Sequence, residues 1–304
     1  MTDVVNAPRA PASSPAGQRR IAMLLMFLFA VLWAVIEDEL GVRLRQPYDL
    51  TQIVWSRYAS HLLLVYAIWG LRQPSRLWRT ARLRLQLSRA LLMLVMPLSF
   101  GAAVAYAGQQ ASVWATFWCA PLLILVFARF IAAERAPVSV WMLTALASAG
   151  AVLILSPVTA PTGKALAFAL LMAVSFALYV VLTRMLRHET LSANLFYTAV
   201  GVLLPLSLYV PRIWVMPSAH DAVILFGIGA VGLAALMALD RALERTESSM
   251  SAAFVTAQVP AALLMLWLRH TALVSRQTLL GLAAISVSLL ALWRFGKRAD
   301  PVAE

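Results

Sequence analysis

Ten apolar stretches, near 21–37, 50–70, 87–107, 111–131, 137–156, 164–184, 192–211, 221–240, 250–268 and 277–294, occupy almost the whole chain and are separated by short polar connections. A helix needs roughly 20 apolar residues to cross about 30 Å of hydrocarbon, so each stretch has the length of one crossing. The bilayer core offers no water to exposed peptide groups, which leaves helices or a closed barrel as spanning structures. Barrel strands are about half as long and alternate apolar with polar positions, and these runs do not. The chain is therefore predicted to be an all-α membrane protein with ten transmembrane helices. Hydrophobic residues at 62% and charged residues at 12% fit that class and exceed what a soluble core of 304 residues requires.

The basic residues orient the spans. With the N-terminus inside, the outer side receives Arg43, Arg45, Lys164, Arg212, Arg269 and Arg276, Arg57 falls within a span, and every other arginine and lysine lies on the inner side. Positive charge is retained on the cytoplasmic side, so both termini are predicted cytoplasmic in a multi-pass protein of a bacterial inner membrane. The same distribution accounts for the net charge of +12 and the isoelectric point near 11.0 without nucleic acid, since no folded domain presents these residues as a patch. Residues 1–18 are rich in Pro, Ala and Ser and read as a disordered tail. The run that follows ends in Glu37-Asp38-Glu39 without a small-residue cleavage site, so it reads as a retained helix and not as a signal peptide. The single cysteine, Cys119, lies mid-span and reads as packing, which leaves neither a disulfide framework nor a cysteine metal cluster. No cofactor and no metal are expected.

Ten spans divide into two sets of five, at 19–157 and 163–295, with a cytoplasmic tail at 296–304. Five is odd, so halves that share a fold must run in opposite directions through the membrane. A shift of 136 residues lays Ser139 on Ser275, Leu143 on Leu279 and Trp118 on Phe254. Pro121 and Pro260 miss that register by three residues, yet each lies near the middle of the fourth helix of its half. A mid-helix proline removes one backbone hydrogen bond and kinks the helix. Two readings stand: paired bends that shape a central cavity, or lipid-facing kinks without a role.

Several local sequences carry a family resemblance. They are Gln52-Ile53-Val54-Trp55-Ser56-Arg57-Tyr58, Cys119-Ala120-Pro121-Leu122-Leu123, Ala133-Glu134-Arg135-Ala136, the helix end Ala149-Gly150-Ala151-Val152-Leu153-Ile154-Leu155, and Ser175-Phe176-Ala177-Leu178-Tyr179-Val180-Val181-Leu182-Thr183-Arg184. In their order and spacing the chain resembles the drug/metabolite transporter superfamily, specifically proteins built of two EamA-type repeats, over about residues 20–295. The resemblance implies ten helices with both termini inside, a substrate cavity lined by helices 1–4 and 6–9, and helices 5 and 10 at the periphery. The second repeat departs from the first, with His270 where the first has Glu134.

Arg57 is the costliest residue of the bundle, because insertion scales charge about 2.5–3.5 kcal/mol for a cation at a helix centre. His61 follows one turn further in, on the same face. Arg57 reads either as a bidentate receptor for a substrate carboxylate or phosphate, or as the structural partner of Glu37, Asp38 or Glu39. Glu37, Asp38 and His61 are candidates for proton coupling, through crowded acids and an imidazole that titrates near neutrality. The alternatives are a solvated acidic cluster, with Glu39 and Arg43 at i,i+4, and a packing histidine.

Trp114, Trp118 and Pro121 share one face of the fourth helix, Phe254 and Gln258 share one face of the ninth, and the two faces are expected to meet across the cavity. Trp33, Tyr106, Tyr179, Asn194 and Tyr197 complete the candidate lining. Trp55, Trp69, Trp78, Trp214 and Trp293 read as interfacial anchors, and so do Glu134 and Asp240 beside Arg135 and Arg241. Ala145–Ala149 and Ala230–Ala234 read as packing seams, and the basic stretch 72–89 as an inner-leaflet or topogenic segment. No phosphate-cradling G-x-x-x-x-G-K-[ST] loop occurs. The expected function is secondary transport of a small organic metabolite, amino-acid-like, nucleoside or related, by alternating access. A non-transporting scaffold or accessory subunit is the rival. A membrane-embedded transferase lacks the clustered carboxylates its chemistry needs, so no enzyme is expected. Expected partners are a small-molecule substrate and the lipid bilayer, with no nucleic acid, and a homodimer stays open.

Overall fold

The computed structural model describes residues 15–42, 44, 47–156, 159–269 and 275–298, and every regular element among them is a helix. In chain order these are α1 (Pro15–Val42), α2 (Leu50–Val65) continued by a π-helical turn (Tyr66–Gly70), the single turn α3 (Ser75–Trp78), α4 (Leu83–Ala107), α5 (Gln110–Phe117), α6 (Ala120–Ile131), α7 (Val138–Leu155), α8 (Gly163–Met185) and α9 (Leu191–Ser207). There follow α10 (Ala219–Arg245), the single turn α11 (Ser248–Ser251), a 3₁₀ stretch (Ala252–Ala257), α12 (Gln258–Leu268) and α13 (Arg276–Arg298). Eight segments are long and apolar enough to cross a membrane, with α5–α6 and α11–α12 each counted as one, and α9 is a shorter apolar helix. The α2 segment falls short because its α-helical part has 16 residues and carries Arg57 and His61.

Local chemistry sets the helix ends. Asp49 accepts from the Thr51 N–H at 2.7 Å to start α2, Thr190 from Ala193 at 3.3 Å to start α9, and Ser218 from Asp221 at 3.1 Å to start α10. Each satisfies a donor that the first helical turn leaves open. Gly108, with φ +66°, closes α4 in the left-handed conformation that glycine adopts without a Cβ penalty.

The expected kinks at Pro121 and Pro260 are interruptions. Pro121 has no N–H for the Phe117 carbonyl and its ring crowds that group, so α5 stops at Phe117 and α6 restarts at Ala120 with the proline in its first turn. Pro260 stands in the same relation to Thr256, and the 3₁₀ stretch Ala252–Ala257 occupies the turns before it. Pro97 and Pro205 lie inside the continuous helices α4 and α9.

The packing has a regular pattern. The helix α4 lies on α8 and α1 on α10; α6 lies on α8 and α12 on α1; α2 lies between α9 and α10; and α7 packs on α13. In the last pair a Cβ on Gly150 would stand 2.8 Å from the Gly281 carbonyl oxygen, so only glycine permits this approach. The seams expected at Ala145–Ala149 and Ala230–Ala234 lie elsewhere: Ala145, Ala149 and Ala234 are exposed, and the close approaches fall at Gly150 and at Gly229 and Gly232. One residue turns a helix by about 100°, enough to move a seam off the interface.

Candidate functional site

The two interrupted helices face one space. A cavity of about 420 Å³ is lined by Trp114 and Gln110 of α5, Trp118 at the break, Glu37 of α1, Ile154 and Leu155 of α7, and Gln258, Val259, Ala262, Leu263 and Leu266 of α12. Its size suits a small organic ligand. Helical spacing puts Trp114 and Trp118 one turn apart, and Gln258 opens α12 opposite them; the expected Phe254–Gln258 face does not form, because the 3₁₀ stretch Ala252–Ala257 turns about 120° per residue and carries Phe254 off it. Phe254 is buried and outside the lining, while Pro121 and Pro260 stand at the breaks behind the walls. The helix α7, expected at the periphery, contributes to the rim.

Beside this cavity Arg57 is 6% exposed. Its guanidinium carbon lies 4.5 Å from the Trp33 ring centroid and 5.3 Å from that of Tyr58, both in cation–π range. Gly232 of α10 makes room for it, since a Cβ there would stand 2.8 Å from Arg57 Nε. Arg57 Nη2 and the Tyr58 hydroxyl have no hydrogen-bond partner among the described residues. Both residues line a chamber of about 30 Å³ with Trp33, Glu37, Met93, Met96, Pro97 and Phe100 among its other walls. Glu37 is common to the chamber and the cavity. The side chains of Asp38 and Glu39 lie outside the described residues, as does His270.

Asn194 and Tyr179 belong to a different assembly, one the sequence reading missed. Arg89 of α4 is fully buried and forms an ion pair of 3.3 Å with Asp240 of α10. It also donates to Thr183 Oγ1 at 3.2 Å, to Thr198 Oγ1 at 2.8 Å and to the Asn194 carbonyl, and its guanidinium carbon lies 5.2 Å from the Tyr179 ring centroid. Asn194 Nδ2 donates to Asp240 at 2.9 Å, and Gln86 Nε2 donates to Asn194 Oδ1 at 2.7 Å. Asp240 is therefore a core residue and not an interfacial anchor, and Arg89 is no part of a surface loop. The signal was in the sequence: Gln86, Arg89, Thr183, Asn194, Thr198 and Asp240 are polar residues within or beside apolar runs, near the same end of their spans.

The remaining candidates disperse. His61 is buried against Tyr58, with ring centroids 5.8 Å apart, and lines neither space. Tyr106 is 57% exposed, stacked on Phe168 at 5.9 Å with Lys164 Nζ 5.4 Å from its ring. Tyr197 donates to the Trp78 carbonyl at 2.8 Å, next to α3. Glu134 is also not an interfacial anchor: it is buried and accepts from the Ser248 N–H at 3.1 Å and the Ser249 N–H at 2.9 Å, so it caps the start of α11. At the opposite end of the bundle Gln52 exchanges two hydrogen bonds with the Val215 backbone, at 2.6 and 2.9 Å, and Trp55 donates to Ser207 Oγ at 2.8 Å. Trp55 and Trp214, both read as interfacial anchors, meet edge to face at 5.6 Å. Tyr48 donates to Asp221 at 2.7 Å, and that bond to a carboxylate raises the tyrosine hydroxyl above its ordinary pKa. Among the described residues no group of three or more His, Cys, Asp or Glu is placed to hold a metal.

No family model matches the sequence. The chain is 24% identical over 234 residues to an S-adenosylmethionine uptake transporter of Rickettsia prowazekii (strain Madrid E), across 75% of this chain and 77% of that one. Its fold is similar to that of a protein of known crystal structure, with a TM-score of 0.71 and 21% identity over 92% of this chain and 99% of that one. With its apolar helices and this likeness, the chain is a multi-pass membrane protein similar in sequence to a metabolite transporter.

Proposed function

We propose that this chain is a secondary transporter of the drug/metabolite type, carrying a small organic metabolite across the bacterial inner membrane by alternating access. The observation that carries the proposal is the cavity between the two interrupted helices, because broken spans around a shared site are how secondary transporters build a midplane binding site. In this reading Leu50–Gly70 and α9 supply the ninth and tenth spans. The halves then begin at α1 and α8. The packing supports an inverted repeat, since exchanging the halves turns each major helix contact into another that is present: α4 on α8 becomes α10 on α1, α6 on α8 becomes α12 on α1, α4 on α9 becomes α10 on α2, and α2 on α9 and α7 on α13 map onto themselves. An even number of spans leaves both termini on one side, and the arginine bias makes that side the cytoplasm.

For the substrate, the sequence relative gives a starting point in S-adenosylmethionine, a purine nucleoside with a sulfonium cation and an amino-acid end. Trp114 and Trp118 offer π faces to a purine or a sulfonium, and the amides of Gln110 and Gln258 can both donate to and accept from a base edge. The test is counterflow in proteoliposomes preloaded with unlabelled S-adenosylmethionine. Labelled S-adenosylmethionine should accumulate above protein-free vesicles, and Trp118→Ala should reduce that accumulation. A folded protein that accumulates neither this compound nor any amino acid or nucleoside would refute transport and favour the scaffold reading.

A further inference from the structure

We propose that a second cavity, where the end of the α2 segment meets the start of α9 and the end of α10, holds the headgroup of an anionic phospholipid with Arg72 and Arg241 on its phosphate. The inference concerns the lipid around the protein and is independent of what the protein carries. This cavity has a volume of about 460 Å³, and its walls include Ile68, Trp69 and Arg72 from the α2 segment, Thr190 and Ser192 from α9, and Arg241 from α10. Among the described residues two arginines and no acid line it. Glu244, which pairs with Arg241 at 2.8 Å, also lies 3.7 Å from Arg245, so one carboxylate faces two guanidinium groups and positive charge is left over at this edge. The start of α9 adds backbone donors: Thr190 Oγ1 accepts from the Ala193 amide, and the Leu191 and Ser192 amides belong to the same open first turn. Two guanidinium groups beside such a turn recognise phosphate.

Placement and size select the source of that phosphate. Leu63, Tyr66, Ile68 and Leu71 of the α2 segment are exposed, so the surface leading to the cavity is apolar and becomes cationic at Arg72. Acyl chain followed by phosphate is the same sequence of groups in a phospholipid. In the orientation proposed above this end of the bundle faces the inner leaflet, where basic residues meet anionic headgroups. A Cβ on Gly70 would meet the Tyr66 ring and Leu77 of α3, so α3 packs on the π-helical turn and ties down both ends of the short link that carries Arg72 and Gln73. One water-sized oxygen needs about 10–15 Å³, so the four oxygens of a phosphate take about 40–60 Å³. Most of the cavity remains for the rest of a headgroup, and Gln73 and Ser192 offer hydrogen bonds to its hydroxyls.

The experiment compares ligands before it compares proteins. Full-length protein, stripped of lipid in detergent, is titrated with phosphatidylglycerol, with phosphatidylcholine of the same acyl chains and with inorganic phosphate, and bound lipid is counted by native mass spectrometry. The wild type should hold phosphatidylglycerol about 10- to 30-fold more tightly than phosphatidylcholine, and excess inorganic phosphate should not displace it. Arg72→Gln and Arg241→Gln should each weaken phosphatidylglycerol binding by about 5-fold. Arg129→Gln removes an exposed arginine from the last turn of α6, outside the cavity, and should leave binding unchanged. Equal binding of the two lipids by the wild type overturns the headgroup site, and a loss in Arg129→Gln as large as in the cavity variants reduces it to diffuse attraction. Displacement by inorganic phosphate assigns the arginines to a soluble anion and overturns the lipid. None of these results bears on transport, which counterflow tests separately. The wild-type series needs no variant, so a misfolded Arg241→Gln does not protect the inference.

Discussion

Arg89→Met tests whether the core is held by its one fully buried ion pair with described side chains. The substitution keeps most of the aliphatic volume and removes the cation from Asp240, Thr183, Thr198 and the Asn194 carbonyl together. Asp240 then retains Asn194 as its donor. Removing one member of a buried pair costs about 3–5 kcal/mol, because the other charge stays desolvated. At roughly 2–4 °C per kcal/mol for a chain of this size, the midpoint of thermal unfolding should fall by about 6–20 °C. The pair as a whole is worth far less than that. Arg89 Nε and Asp240 Oδ2 have no hydrogen-bond partners among the described residues, so the desolvation of both ions is incompletely offset. The double variant Arg89→Met, Asp240→Leu should therefore recover most of the loss, and the double-mutant cycle should show strong coupling. The assay is heating in detergent followed by size-exclusion analysis of the surviving monodisperse protein. A single variant within about 3 °C of the wild type would mean that water reaches the site, and a double variant no better than the single would mean that the surrounding hydroxyls and amides depend on the charges; either result refutes the reasoning.

Three further outcomes follow from the packing and the caps. Glu134→Ala strips the acceptor from the Ser248 and Ser249 amides and should cost about 1–2 kcal/mol, read as faster hydrogen exchange at those two positions, while Glu134→Gln keeps one acceptor oxygen and should cost less. Gly150→Val drives a side chain into the Gly281 carbonyl and should destabilise by about 1–3 kcal/mol, whereas Gly227→Ala, with nothing within 4 Å of the new Cβ, should be neutral or stabilising in the same thermal assay. The Tyr48 hydroxyl has its pKa raised by the bond to Asp221, so its contribution is complete below the ordinary value of 10.0 and is lost as pH rises through the higher folded value. The stability difference between wild type and Tyr48→Phe should accordingly vanish on alkaline titration, and a difference that persists or grows there contradicts the assignment.

The sequence was most legible where the bilayer dictates the outcome. Span length and hydropathy follow from a fixed hydrocarbon thickness, so most predicted runs lie within the observed helices, give or take a few residues at each end. Facing was less legible, because it depends on a rotation of about 100° per residue that hydropathy does not resolve in helices apolar all round. That is why Ala149 stood in for Gly150. Depth was weaker still. Arg89 and Asp240 lie close enough to span ends to pass for anchors, and only three-dimensional register shows that they meet in the interior. That Trp114 and Trp118 line one space was legible because i,i+4 spacing sets them on one face beside a proline, whereas the same rule paired Gln258 with Phe254 and failed there, because the turns before Pro260 are 3₁₀.

The prolines and the cavity explain one another. Pro121 removes the donor that would meet the Phe117 carbonyl, and Pro260 removes the one that would meet Thr256. Non-helical backbone at membrane depth is tolerated only where protein or a water-filled space covers it. A lipid-facing kink would leave those turns against hydrocarbon, yet Phe117, Trp118 and the whole 3₁₀ stretch Ala252–Ala257 are buried. Trp118 and Gln258, at the two breaks, instead line the cavity. The breaks persist because protein encloses them on one side and the cavity on the other, so filling the cavity should tighten the turns beside it. In the transport reading proposed above, a bound substrate would then reach the backbone at both breaks at once, which is the coupling that alternating access requires.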